Sequence, residues 1–224
     1  MDSGSGGETF RPVTAARMGL RALLVDADPL GGGVDLVLGW EALDGLRWPA
    51  LAASEPSSLV ETLPASGELA VLSWDRGDVV GVPLEAMAAA LDAGRAGREL
   101  VVVDLPRRLD DAVALALGAA DVTLLVVPAE LRACAAAARV ATTVAQHTAS
   151  LRLVVRGPAP GRLRPREIAR ALGLPLAGSL RAEPDLARAL ERGEPPAGTG
   201  KGPLATLCRR LIGDLELAGG AVPA

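Results

Sequence analysis

A short apolar run that stops abruptly at two acids and three glycines constrains this chain more than any other stretch. In Arg21-Ala-Leu-Leu-Val-Asp-Ala-Asp-Pro-Leu-Gly-Gly-Gly33, Leu23, Leu24 and Val25 read as a buried parallel strand. Asp26, Asp28, Pro29 and the glycines then mark a turn into a loop. In open α/β sheets the carboxyl rim of the strands is where ligands bind, because loops converge there above a covered core. Two carboxylates at i and i+2, before a loop whose backbone can approach a ligand closely, suit a Mg²⁺-phosphate group or a positioned water. The same residues also suit a helix cap or a solvated turn.

The pattern recurs along the chain. Residues 68–74 (ELAVLSW), 99–104 (ELVVVD), 122–127 (VTLLVV), 151–156 (LRLVVR) and 176–180 (LAGSL) read as strands, and the run at 99–104 again closes on an acid, Asp104. Between them, residues 12–18, 58–63, 83–93, 110–119, 130–148, 165–172, 184–192 and 203–217 have helical composition, with Leu204, Leu207, Leu211 and Leu215 at helical spacing in the last. Strands alternating with helices predict an α/β fold with a doubly wound, mostly parallel sheet flanked by helices. The organisation expected is a poorly ordered remnant over 1–13, one domain over 14–217 and a flexible tail over 218–224.

Composition removes several classes of chemistry. Half of the 224 residues are hydrophobic, yet no apolar run approaches the roughly 18 residues of a membrane span, and no leader pattern is evident, so a cytoplasmic location is expected. Cys134 and Cys208 are isolated, which argues against zinc and against a disulfide framework, and His147 is the only histidine. A net charge of -4 argues against a surface dominated by phosphate neutralisation, so no sequence-specific nucleic-acid partner is expected. Trp40, Trp48 and Trp74 read as anchors for loop packing. Lys201 is the only lysine among 23 basic residues.

Taken in order, these motifs resemble one family. VDADPLGGG resembles the switch I segment of the MinD/ParA class of P-loop ATPases, LVVVDLP their Walker B strand, LLVVPAEL the strand that follows, and LGLPLAGSLRAEPDLARALERGEPP their late strand, acidic loop and helix. DADPLGGGVDLVLGW, SWDRGD and VVVDLPRRLDD are most similar to the CpaE-like, septum site-determining (Ssd) branch. The resemblance implies ATP held in a homodimer, Mg²⁺ near the carboxylates, and a role in septum-site or cell-pole positioning with division, pilus or secretion proteins as partners. Carried over residue by residue, Asp28 would orient water and Asp26 would support switch I. Asp104 would hold Mg²⁺ through water with Asp28 nearby, and Gly31 and Pro128 would border the cofactor. The class also uses its last helix on membranes. Here Arg209 and Arg210 are offset by Asp214 and Glu216, so membrane contact is not expected.

The chain departs from that class at the phosphate cradle. The class has a strand, a loop of the form KGGxGK followed by Ser or Thr, and a helix. Here the nearest candidate is Gly4-Ser-Gly-Gly-Glu-Thr9, in which Gly7 and Thr9 would contact phosphate while Ser3 and Glu8 replace the two lysines. A Lys at about 4 Å from a phosphate charge contributes roughly 4 kcal/mol at an effective dielectric near 20, and a carboxylate reverses the sign. Lys201 lies in a Gly198-Thr-Gly-Lys-Gly202 stretch followed by Pro203, which reads as a linker; Arg107 and Arg108 are the cations nearest Asp104 in sequence. Arg156-Gly157-Pro158 stands where the class has an adenine-contacting Asn. The absent strand would leave neighbouring edges open, so either the chain begins late or other residues supply it. A receiver domain would need its acids closer in sequence and a later Lys, and a dinucleotide-binding fold would need GxGxxG; neither is present. The expected function is therefore ATPase-fold positioning with weak or no hydrolysis, the alternatives being an active ATPase or a non-catalytic scaffold.

Overall fold

In a computed structural model the described residues are 10–51, 56–75, 77, 81–183, 185–197 and 199–219. They form two compact units, Met1–Ala116 with Asp185–Lys201 and Leu117–Pro184 with Gly202–Ala224.

The first unit is built on α1 (Phe10–Arg17), β1 (Ala22–Asp26), α2 (Val34–Leu38), α3 (Trp48–Leu51), a 3-10 turn at Pro56–Thr62, β2 (Ala65–Ser66), β3 (Leu69–Leu72), α4 (Leu84–Gly97) and β4 (Leu100–Asp104). Its sheet has the order β2-β3-β1-β4. β1 pairs in parallel with both β3 and β4, and β2 pairs antiparallel with β3 through Gly67, whose φ is +57°. A central strand covered on both faces has no solvated side to accommodate polar residues. Accordingly Ala22, Leu23, Leu24 and Val25 are all at most 1% exposed. Leu100–Val103 of β4, an edge strand among the described residues, stay half-buried although equally apolar.

α4 lies close on this sheet because Gly94 lets it. A Cβ at Gly94 would stand 2.9 Å from both Leu23 Cδ2 and Val101 Cγ2, side chains of the register pair Leu23–Val101. Gly94→Val should therefore cost about 2–3 kcal/mol by overpacking. Gly97→Val, where a Cβ would meet nothing within 4 Å, should cost less than about 1 kcal/mol. Thermal unfolding of the two variants measures the contrast.

The second unit holds β5 (Thr123–Pro128), α6 (Leu131–Val144), β6 (Leu151–Arg156), α7 (Pro165–Leu172), β7 (Leu176–Leu180) and α9 (Pro203–Gly219), its three strands parallel in the order β5-β6-β7. α5 (Asp111–Ala119) carries the boundary between the units, and α8 (Leu186–Leu190) belongs to the first. Val127, Leu153 and Val155 form the core of the second unit with Ala137 of α6 and Ile168 of α7. Leu204, Leu207 and Leu211 of α9 are buried as the spacing predicts, while Leu215 is half-buried. Gly178 admits α9 against β7, since a Cβ there would meet Leu207 Cδ1.

The strands and helices expected from the pattern are present within a few residues. The two-residue strand β2 and the one-turn helix α3 were not legible, because neither is long enough to show a period. Of the remnant expected over 1–13, residues 10–13 belong to α1, and of the tail expected over 218–224, residues 218–219 belong to α9; residues 1–9 and 220–224 lie outside the described residues.

Candidate functional site

The carboxyl ends of β1 and β4 meet side by side. Asp26 and Asp104 are register partners in the parallel ladder, and the chain leaves β1 with Ala27 N–H donating to the Asp104 carbonyl at 2.9 Å. Both side chains are buried, Asp26 at 2% exposure and Asp104 at 4%. Such burial of two acids on adjacent strands is costly unless hydrogen bonds or a cation compensate.

Asp26 is compensated by backbone. Its Oδ1 accepts the Asp28 N–H at 3.1 Å and its Oδ2 accepts the Val34 N–H at 3.0 Å, so one carboxylate clasps both ends of the loop that carries the glycines. Burial pushes the Asp26 carboxyl up to about 7; the Val34 and Asp28 N–H groups oppose the shift, and the neighbouring Asp104 and Asp28 charges add to it.

Asp28 is half-buried at the head of the clasped loop. Its Oδ1 accepts the Leu30 N–H at 3.1 Å and its carbonyl accepts the Gly31 N–H at 3.1 Å, a tight Asx-type turn. A Cβ at Gly31 would come 3.3 Å from the Asp28 carbonyl oxygen, a tight contact that the turn would have to relieve by a few tenths of an ångström. Gly33, with φ +90°, turns the chain into α2. Leu30, at the loop's tip, is 84% exposed.

A second layer under this loop was missed by sequence reasoning. Asp35 of α2, 2% exposed, receives Arg47 Nη1 at 3.3 Å, and the same nitrogen donates to Ser73 Oγ at 2.6 Å. Trp48, 1% exposed, donates its backbone N–H to the Ser73 carbonyl at 3.1 Å and its indole N–H to the Asp26 carbonyl. Trp48 and Trp74 rings pack at 5.9 Å with planes at 38°. These two tryptophans are buried anchors as expected, yet nothing in their spacing reveals a bond to Asp26.

Of the residues singled out from the sequence, Asp26, Asp28, Gly31 and Asp104 are thus brought together in the first unit. Pro128 ends β5 in the second unit, in register with Arg156, and its carbonyl accepts the Glu130 N–H at 2.7 Å. Gly7 and Thr9 lie outside the described residues. Arg107 and Arg108 are exposed in the loop after Asp104, and Lys201 sits in a turn before α9, with no strand leading into it.

Chemically, the rim offers hard oxygen donors. Among the described residues no three metal-ligating side chains converge enough to enclose an ion by themselves. Mg²⁺ is typically held by one or two carboxylates, with waters and substrate phosphates completing the shell. Asp28 and Asp104 are the carboxylates of this rim that could contribute oxygens to such a shell. The described residues contain no glycine-rich loop with a lysine that would cradle phosphate. No helix among them is long and apolar enough to cross a membrane.

No family model matches the sequence. The chain is 45% identical over 222 residues to two uncharacterized proteins from two strains of Mycobacterium tuberculosis, an overlap of 96% of this chain but 62% of theirs, so it spans about three fifths of the relatives it matches. In structure it resembles the MinD cell division protein of Aquifex aeolicus, with a TM-score of 0.75 and 22% identity over 99% of this chain and 95% of that one. It likewise resembles a ParA family ATPase from Chlorobium tepidum, with a TM-score of 0.78 and 16% identity over 94% and 95%. The septum site-determining protein MinD of Pyrococcus horikoshii, in complex with Mg-ADP, gives a TM-score of 0.78 and 16% identity over 100% and 96%. The fold is that of the MinD/ParA P-loop ATPases.

Proposed function

We propose that this chain is a positioning protein of the MinD/ParA type, in the CpaE-like, septum site-determining branch, with an ATP-Mg²⁺ site whose phosphate-binding half is degenerate. The observation that carries the reading is the pairing of Asp26 with Asp104 at the carboxyl ends of adjacent parallel strands, with Asp28 on a loop clasped by Asp26. MinD from Pyrococcus horikoshii binds Mg-ADP and a Cyanothece McdA variant binds ATP, which supports ATP and Mg²⁺ as the cofactors here. When bound, Mg²⁺ would neutralise phosphate charge beside the rim. Asp104 and Asp28 would hold it, Asp28 would also orient water, Asp26 would keep the loop closed, and Gly31 would let the backbone approach. Pro128 would border the base, and Gly7 and Thr9 would belong to the degenerate cradle.

Without the lysine the site favours weak binding and little or no hydrolysis. The Aquifex MinC:MinD complex supports engagement of a partner protein, here of a division, pilus or secretion machinery; the reading further takes the chain as a cytoplasmic homodimer without membrane attachment. A second reading is favoured by the half-exposed apolar edge of β4. A strand from outside residues 10–219 would pair there, and one bringing a glycine-rich turn with a lysine would make the protein an active ATPase.

Titration with a fluorescent ATP analogue separates these readings. The degenerate site predicts weak binding that Mg²⁺ strengthens, with Asp104→Asn removing about tenfold of that Mg²⁺ enhancement. A dissociation constant in the low-micromolar range would refute degeneracy and favour the second reading. No binding at any Mg²⁺ concentration would leave only the scaffold.

A further inference from the structure

We infer that Trp48 is a positioning residue for the Asp26–Asp28 rim, acting through the main chain of Asp26; its relevance to nucleotide rests on the function proposed above. The β1–β3 ladder ends at the pair Val25–Leu72. One residue further on the ladder has ended: the Asp26 carbonyl, which faces β3, no longer meets a β3 N–H, and the Ser73 carbonyl faces the side of β3 away from β1. Trp48 serves both. Its backbone N–H goes to Ser73 at 3.1 Å and its indole N–H goes to Asp26, so a single residue bridges the two strand ends just beyond their ladder.

That bridge matters because of what Asp26 holds. With its carbonyl fixed by Trp48 and the adjoining Ala27 N–H fixed on the Asp104 carbonyl at 2.9 Å, the Asp26 backbone is held from both sides. Its carboxylate is then aimed at the N–H groups of Asp28 and Val34, the two ends of the loop. Arg47, beside Trp48, reinforces the bridge by bonding Ser73 Oγ, Asp35 and the Leu43 carbonyl at 2.6, 3.3 and 3.2 Å. Trp74 packs against the Trp48 ring, but its own buried indole N–H bonds to none of the described residues, so it separates ring packing from the N–H bond.

Residue-resolved amide exchange of the full chain, in metal-free buffer, tests this. Trp48→Phe keeps an aromatic ring and removes the donor. It should speed exchange at Asp28 and Val34 by about tenfold relative to core amides of β1, the equivalent of one lost buried hydrogen bond. Trp74→Phe should leave those two amides unchanged. Should Trp48→Phe fold poorly, benzothienylalanine at position 48 preserves ring size and replaces only the N–H by sulfur. Unchanged exchange at Asp28 and Val34 in either Trp48 variant, or equal acceleration in Trp74→Phe, would overturn the inference. These arms need no nucleotide, so they stand if nucleotide binding fails. Where Mg²⁺-dependent binding is measured, Trp48→Phe and Asp28→Asn should each weaken it and their double variant should be no weaker than Asp28→Asn alone; additive losses would contradict action through the Asp28 loop.

Discussion

Asp26→Asn is expected to be less stable than the wild type near pH 4.5 and to match or exceed it near pH 8, in metal-free buffer. The folded-state Asp26 carboxyl titrates at about 7, against 3.8 for the free side chain, because burial disfavours its charge. A raised carboxyl contributes stability that is fully present below about pH 4 and is lost as pH rises through about 7. The size of that loss is on the order of 4 kcal/mol, from 1.36 kcal/mol per pKa unit. Asn cannot ionise, so it escapes the loss. It offers only one acceptor oxygen for two N–H groups, however, and so gives up about 1–3 kcal/mol at low pH. Urea denaturation of both proteins across this range isolates the effect of Asp26 and its coupling to Asp104 and Asp28, because the contributions of carboxylates remote from it cancel in the difference. A difference that does not change with pH would contradict the burial of an ionisable Asp26.

Arg47→Met is expected to lower stability by about 3–5 kcal/mol, since it takes the guanidinium away from a carboxylate that is 2% exposed. The Arg47 side chain is itself only 14% exposed, so solvent cannot replace it cheaply. Adding Asp35→Asn should recover about half of the loss, because the charge that the arginine had balanced is then gone. The double variant measured by chemical denaturation checks this. A loss below about 1 kcal/mol for Arg47→Met would mean that the Asp35–Arg47–Ser73 cluster does not hold the loop. The exposed pair Arg21–Glu99 at 3.6 Å is a suitable contrast, where removal should cost less than about 1 kcal/mol.

Much of the fold was legible because its strands are nearly uniform apolar runs bounded by acids, prolines and glycines. Residues 151–156, 165–172 and 176–180 appear in the structure with the bounds that periodicity assigns them. The meeting of Asp26 with Asp104 was legible for the same reason: two runs of equal length, each closing on an aspartate, place those acids at one rim once the strands are parallel. The clasp by which Asp26 holds Asp28 and Val34 was not, because side-chain to backbone bonds across eight residues leave no period. Nor was the Trp48 bridge, which depends on where the β1–β3 ladder ends. The two compact units divide near Ala116, inside α5, where no linker composition marks a boundary within 14–217.

Paramagnetic broadening by Mn²⁺, used in place of Mg²⁺ together with ATP, tests the carboxylate rim most directly, since it detects even weak occupancy. The amide resonances of Ala27, Asp28, Gly31 and Leu105 should broaden first, only when nucleotide is present, and not in Asp104→Asn. Broadening that leaves these amides untouched at saturating Mn²⁺ and ATP, or that is unaltered by Asp104→Asn, would contradict a metal-nucleotide site on these carboxylates.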